Sequence, residues 1–229
     1  QMPTSLPNNL TLICTIYGAI NPGSVIDIGT GHGKTGVLLR ELPEVGSGRY
    51  AKTDWRAHIT GVEPFAGYAN PLWDYAYDDV ITEHALTALA KIESADLAVA
   101  LDVWEHLEPP YAAELLAALL ARCRYVLIST PKHPSEQGAV FGNPYEVHRT
   151  EWHPAHFRHV RHRLTACSPS DWVILLSEAE PVPAVLRRFG NPLYHLYAGV
   201  RAAASLVRAG TSPRVRGPGV VVHEGRQSP

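Results

Sequence analysis

Between residues 25 and 36 the chain reads VIDIGTGHGKTG, a segment that few folds accommodate. The preceding run, Ser24–Ile28, is apolar apart from Ser24 and Asp27 and has the length of a buried strand. Gly29, Gly31 and Gly33 follow at every second position, where the missing Cβ lets the backbone turn sharply and lets a ligand approach closely. Helical spacing returns over Lys34–Leu42 through Val37, Leu38 and Leu42. A strand, a glycine turn and a helix in that order aim the free N–H groups of the first helical turn at the space above the strand. A polar ligand is expected there.

The rest of the chain repeats the alternation. Apolar positions 10, 13, 16, 17 and 20 define one face of a leading helix over Asn8–Ile20, with Asn9 or Thr11 near its cap. Further strands are read at His58–Glu63, Asp79–Thr82, Asp96–Val103 and Tyr125–Ser129. Between them lie helices at Phe65–Tyr77, kinked at Pro71, at His84–Ile92 and at Tyr111–Arg122. The run DLAVALDV, Asp96–Val103, is almost continuously apolar, as a strand covered on both faces requires. Leu164–Ser168 and Trp172–Ser177 lie too close together for an intervening helix and are expected to pair antiparallel at the end of the sheet. The fold class is therefore α/β: a doubly wound, Rossmann-like, mostly parallel seven-stranded sheet with helices on both faces.

At 229 residues the chain fits one domain with an appendage. The domain is placed at 1–180 and a C-terminal helical extension at 181–229, with helices over Pro181–Gly190 and Pro192–Ala209 and a Gly/Pro/Ser-rich tail after Gly210. Hydrophobic residues at 45% against 18% charged exclude a disordered chain. Three cysteines, with no CxxC pair, suit a reducing compartment. The first ten residues lack a basic stretch followed by an apolar run, and Leu193–Val207, interrupted by His195 and Arg201, is short of the roughly 20 apolar residues of a membrane span. A cytoplasmic protein without a transmembrane helix is expected.

Three kinds of site use such a glycine loop, and spacing separates them. A dinucleotide fingerprint starting at Gly29 requires glycine where Lys34 stands. A P-loop ending in Gly33-Lys34-Thr35 requires its first glycine at Ile28, although LAVALD, ending at Asp102, imitates the strand and acid that help hold magnesium. The third pattern fits at every position: Val25-Ile26-Asp27-Ile28-Gly29-Thr30-Gly31-His32-Gly33 resembles the first motif of class I S-adenosylmethionine-dependent methyltransferases. The resemblance continues at GVEPF, where Glu63 stands in the place of the acid that grips the ribose hydroxyls in that family. It continues again at LAVALDVWEHLEPP and at VLISTP, and spans about residues 20 to 178. Thirty residues separate Gly33 from Glu63, more than the family's usual interval, because of a polar insert at 43–56.

The resemblance implies S-adenosyl-L-methionine as cofactor, with Asp27, Gly29, Thr30, Gly31, Gly33, Glu63, Pro64 and Asp102 as its contacts. The chemistry agrees in part: loops after strands one, two and four converge in such a sheet, and Glu63 offers two acceptor oxygens to a diol. Asp27 could equally orient the loop alone. Glu83 reads as an exposed carboxylate at a helix start.

Methyl transfer from a sulfonium is an in-line displacement, in which a base is needed only when the nucleophile must lose a proton. His106, in the EHL turn, and His148, in NPYEVHRTEW, are the candidates. The expected activity is methylation of a small molecule, at oxygen. Asp102, Glu105, His106 and His148 together are similar to the metal-binding arrangement of small-RNA 2′-O-methyltransferases and, in part, of ubiquinone-type O-methyltransferases; both have Glu where this chain has Asp102, and no metal is assigned. A metal-assisted RNA 2′-O-methyltransferase, a P-loop nucleotide hydrolase and a cofactor-binding protein without catalysis remain as alternatives.

Charge is unevenly placed. Residues 1–115 carry 6 Lys+Arg against 15 Asp+Glu and residues 116–229 carry 14 against 7, which returns the formal −2. A basic C-terminal half admits an anionic acceptor; without an RNA-binding module, nucleic acid is not expected as a partner. His153, His156, His159 and His162 recur at helical spacing among arginines, as a solvated basic face would. The apolar side of Pro192–Ala209 admits a lid, a lipid-surface contact or a homodimer interface, with packing on the sheet as the default.

Overall fold

In the computed structural model, residues 9–190 are described. Seven strands form one sheet in the order β3-β2-β1-β4-β5-β7-β6. Their ranges are β1 Ser24–Ile28, β2 His58–Val62, β3 Asp79–Ile81, β4 Ala95–Leu101, β5 Cys123–Pro131, β6 His162–Cys167 and β7 Asp171–Ser177. The first five run parallel, and β7 pairs antiparallel with both β5 and β6. The expected antiparallel pair is thus present, with β7 inserted between β5 and β6.

Alternation along the central strand shows why its sequence is apolar throughout. Leu97, Val99 and Leu101 of β4 pack on one face with residues of α1 (Leu10–Ile20), α2 (Lys34–Glu41) and α3 (Pro71–Ala76). Ala98 and Ala100 pack on the other with α4 (Ala85–Leu89) and α5 (Pro109–Arg122). In α5 the buried residues are Ala112, Leu115, Leu116 and Leu119, the i, i+3, i+4, i+7 stripe of a half-buried helix.

Local chemistry differs from expectation in a few places. Pro71 starts a helix instead of kinking one: Asn70 accepts the Leu72 amide as N-cap, and proline takes the first position, where its missing N–H costs nothing. Asn9 is the N-cap residue of α1, yet its side chain makes no capping bond. The histidine run does not share a helical face, because His153 caps a four-residue 3-10 turn, Pro154–Phe157, and His162 belongs to β6. The polar insert is closed by Glu44, which is buried and accepts the amides of Arg56 and Ala57 and the Arg49 guanidinium.

After β7, a 3-10 stretch at Ala184–Gly190 stands where a helix from 181 was expected, and it buries Leu186 and Phe189 in the same core as α1. The expected helix Pro192–Ala209 and the tail lie outside the described residues. No helix among the described residues is long and apolar enough to cross a membrane.

Candidate active site

Where β1 and β4 lie side by side the strand order reverses direction, and loops leaving their C-terminal ends diverge to opposite sides. A cleft of about 1090 Å³ opens there. Gly29, Thr30, Gly31, Glu63, Pro64 and Asp102 line it, as do His106 and His148. Eight of the ten residues singled out from the sequence therefore meet in one cavity. Asp27 and Gly33 do not line it.

The loop is built from three sides. Gly29, Gly31 and Gly33 all have positive φ, at 74°, 52° and 91°, a conformation that side chains with a Cβ resist. Glu63 is 4% exposed; one carboxylate oxygen accepts the Gly31 amide at 3.0 Å and the other the Phe65 amide at 3.0 Å. The long interval before Glu63 does not displace it from the loop. Burial pushes its carboxyl upward against those two bonds, and the Glu146 charge adds to the rise.

The third side is α3, which sequence reasoning did not connect to the loop. Trp73 donates its indole N–H to the Gly31 carbonyl at 2.9 Å. Tyr77 donates to Asp27 at 2.6 Å and accepts the Gly36 amide at 3.2 Å. Asp27 is 1% exposed, and burial, opposed by the tyrosine bond, lifts its carboxyl to about 7. Gly33 and Gly36 make room for these rings, since a Cβ would lie 3.2 Å from Trp73 Cδ1 and 2.5 Å from Tyr77 Cζ respectively. A signal existed: two aromatics four apart, opposite a glycine pair three apart.

Asp102 follows β4 with φ 54°, an uncommon backbone state for a residue other than glycine. Ser129 Oγ donates to it at 2.8 Å. Lys34 also lines the cleft; burial lowers its ammonium, and the Asp102 charge opposes that fall. Glu105 is 2% exposed, accepts from Thr130 Oγ1 at 3.1 Å, and is held well above the usual carboxylate range by burial and the Asp102 charge. Its backbone carbonyl accepts the amides of Arg149 and Thr150, tying the turn after β4 to the segment after β5. Glu83 lies outside the cleft, in an ion pair with Lys91.

That tie brings the two histidines together, with ring centroids 4.9 Å apart. His106 Nδ1 meets the Val147 carbonyl at 3.2 Å and His148 Nδ1 the Ser135 carbonyl at 2.6 Å. A carbonyl can only accept, so each Nδ1 carries a hydrogen, and in a neutral ring that tautomer leaves the lone pair on Nε2. Burial lowers the His106 imidazolium below its ordinary 6.5, which keeps the ring neutral near pH 7. Ligand atoms of Glu105, His106 and His148 all lie within 4.8 Å of one another. Asp171, fully buried at the start of β7, also lines the cleft and leaves Oδ1 without a partner. Nothing in the sequence pointed to it, because only the β5–β7 pairing carries it to the site.

A reversed parallel sheet, a glycine loop bonded to an acid from the next strand, and a second acid after β4 are the arrangement expected of a class I methyltransferase. The methyltransferase-domain family matches residues 6–173, and the chain belongs to that family. A comparison with curated proteins finds no match. Among solved structures the chain resembles an S-adenosylmethionine-dependent methyltransferase from Archaeoglobus fulgidus at 14% identity, covering 73% of this chain and 93% of that one with a TM-score of 0.51. It also resembles the S-adenosylhomocysteine-bound N-terminal domain of EvdMO1, at 14% identity, 75% and 82% coverage and a TM-score of 0.51. An O-methyltransferase family protein from Burkholderia thailandensis is similar at 12% identity, 75% and 57% coverage and a TM-score of 0.52. The protein is a class I methyltransferase, and its cofactor is S-adenosylmethionine.

Proposed function

We propose that the protein methylates an oxygen of a small, neutral molecule, with His106 or His148 as general base. The observation that carries this reading is that His106 and His148 line the same cleft as Gly31, Glu63 and Asp102, each with Nδ1 on a backbone carbonyl. The residues fit the cofactor. Glu63 retains acceptor capacity for a ribose diol, and Thr30 Oγ1 is buried without a partner on the cleft wall. Asp102 supplies a carboxylate for the methionyl ammonium. When bound, S-adenosylmethionine supplies a methyl group on a sulfonium. That methyl would be open to in-line attack by the acceptor oxygen with the sulfur as leaving group, and His106 or His148 would take the hydroxyl proton on its imidazole. Holding the oxygen and methyl in line is the main work of the site, and an imidazole is suited to the proton.

The lining includes Asp102, Glu146 and Asp171 against Lys34 and Arg149, and Arg149 is paired with Glu108. This supports a neutral acceptor over an anionic one. The test is calorimetric titration with S-adenosylmethionine, S-adenosylhomocysteine and Mg-ATP, followed by an acceptor panel. Binding of the first two, lost in Glu63→Ala, is expected. Binding of Mg-ATP alone, abolished in Lys34→Ala, would overturn the reading in favour of a nucleotide hydrolase, and saturable binding without turnover would favour a non-catalytic role.

One observation favours a second reading: the Glu105, His106 and His148 cluster, with the partnerless Asp171 oxygen in the same cleft. In it Glu105, His106 and His148 would hold a divalent cation, whose Lewis acidity would polarise an acceptor hydroxyl such as a 2′-hydroxyl of RNA. Chelation decides between the two, because only the second predicts methylation that EDTA abolishes and Mn²⁺ or Zn²⁺ restores.

A further inference from the structure

Seven large apolar side chains are exposed among the described residues, and three of them, Leu72 at 46%, Phe141 at 44% and Tyr145 at 38%, line this one cleft. Leu72 belongs to α3, and the other two belong to the segment after β5. Scattered single exposed apolar residues need no explanation, but exposed apolar side chains that line one binding cleft are a contact surface for a ligand.

Phe141 is held there against its own backbone preference. Phe141 and Gly142 have φ of 56° and 71°, and the Asn143 amide donates to the Val140 carbonyl at 2.8 Å, which makes residues 140–143 a type I′ turn. Asparagine or glycine is favoured at the first central position of such a turn, and a bulky ring there is an outlier. The turn is anchored on both sides. Asn143 caps the next 3-10 turn, the Tyr145 hydroxyl meets His84 Nε2 at 3.2 Å, and the Tyr68 hydroxyl donates to Glu146 at 2.7 Å. A strained conformation held by its surroundings at a cleft rim points to use by a ligand.

We propose that Leu72, Phe141 and Tyr145 bind the apolar body of the methyl acceptor, so that the substrate carries its hydroxyl on an aromatic or alkyl body and is not a sugar or polyol. The proposal rests on the oxygen-methylation reading and narrows its substrate class. The hydroxyl end enters toward His106 and His148, and the apolar end stays under the turn.

The experiment titrates 4-alkylphenols, from 4-methylphenol to 4-hexylphenol, and separately myo-inositol into the full chain loaded with S-adenosylhomocysteine. Affinity is expected to rise about fourfold for each methylene that the rim covers. The informative variant is Phe141→Asn, because asparagine suits the turn while removing the ring. Its melting temperature is expected to equal or exceed that of the parent, while the gain per methylene is lost. A series that is flat, absent or weaker than inositol binding would overturn the proposal and leave the cofactor reading standing. So would a Phe141→Asn variant that melts earlier and keeps the series intact. Failure of S-adenosylhomocysteine itself to bind would instead bring down the methyl-transfer reading on which the proposal rests.

Discussion

Gly29 and Gly31 share a loop and differ in what they tolerate. A Cβ on Gly29 would lie 2.5 Å from Val103 Cγ2, whereas one on Gly31 would meet nothing within 4 Å. Gly31→Ala should therefore cost only the backbone preference, about 1–2 kcal/mol, and Gly29→Ala should cost more because the loop must also shift. Urea denaturation of the two variants side by side checks the order. Glu105 offers a pH test. Burial and the Asp102 charge hold its carboxyl above its ordinary 4.5, so the folded protein keeps a proton that the unfolded chain releases. Stability from this group is full below about pH 4.5 and declines as pH rises through the raised folded value. Glu105→Gln removes that decline, and its melting temperature relative to the parent should be higher at pH 8 than at pH 5. An unchanged difference between those two pH values would show that the carboxyl is not held protonated.

At the scale of elements, α3 and its C-cap residue Tyr77 decide whether the loop has its shape. Trp73 and Tyr77 reach Gly31, Gly36 and Asp27 from a helix that lies between β2 and β3. Tyr77→Phe keeps the ring packing and removes the hydroxyl, leaving Asp27 and the Gly36 amide without their partner. A loss of about 1–3 kcal/mol is expected for such an orphaned buried group. S-adenosylmethionine affinity should fall with it, since the loop moves; normal affinity in a destabilised variant would confine α3 to a packing role. The sequence reading begins this helix at Phe65 and kinks it at Pro71, although Asn70-Pro71, a cap residue followed by proline, marks its start. Its destination was not legible, because contacts 36 to 50 residues apart leave no periodicity in a single chain.

Across the whole molecule, the 3-10 stretch Ala184–Gly190 completes the core beside α1 and β6. Leu186 is fully buried there, and Leu186→Ala is expected to cost about 2–5 kcal/mol, read from thermal or urea unfolding. A chain cut after residue 180 should be destabilised by more than that variant; equal stability to the full chain would instead place the domain boundary at 180. The same split between local and distant causes runs through the whole protein. Glu63 and Asp102 were marked by the resemblance to class I methyltransferases; strand order aside, the α/β class, the glycine loop and the antiparallel end pair follow from short-range signals: apolar runs, glycine spacing and the length of the connection. The sequence by itself determined those, because each depends on backbone sterics and side-chain period within about ten residues. Tertiary structure alone decided that Asp27 and Gly33 face α3 and not the cleft, that Asp171 joins the site, and that His106 and His148 come within 4.9 Å. The reason is that residues 42 apart meet only when the Glu105 carbonyl takes the Arg149 and Thr150 amides, a pairing set by how β4 and β5 lie in the sheet.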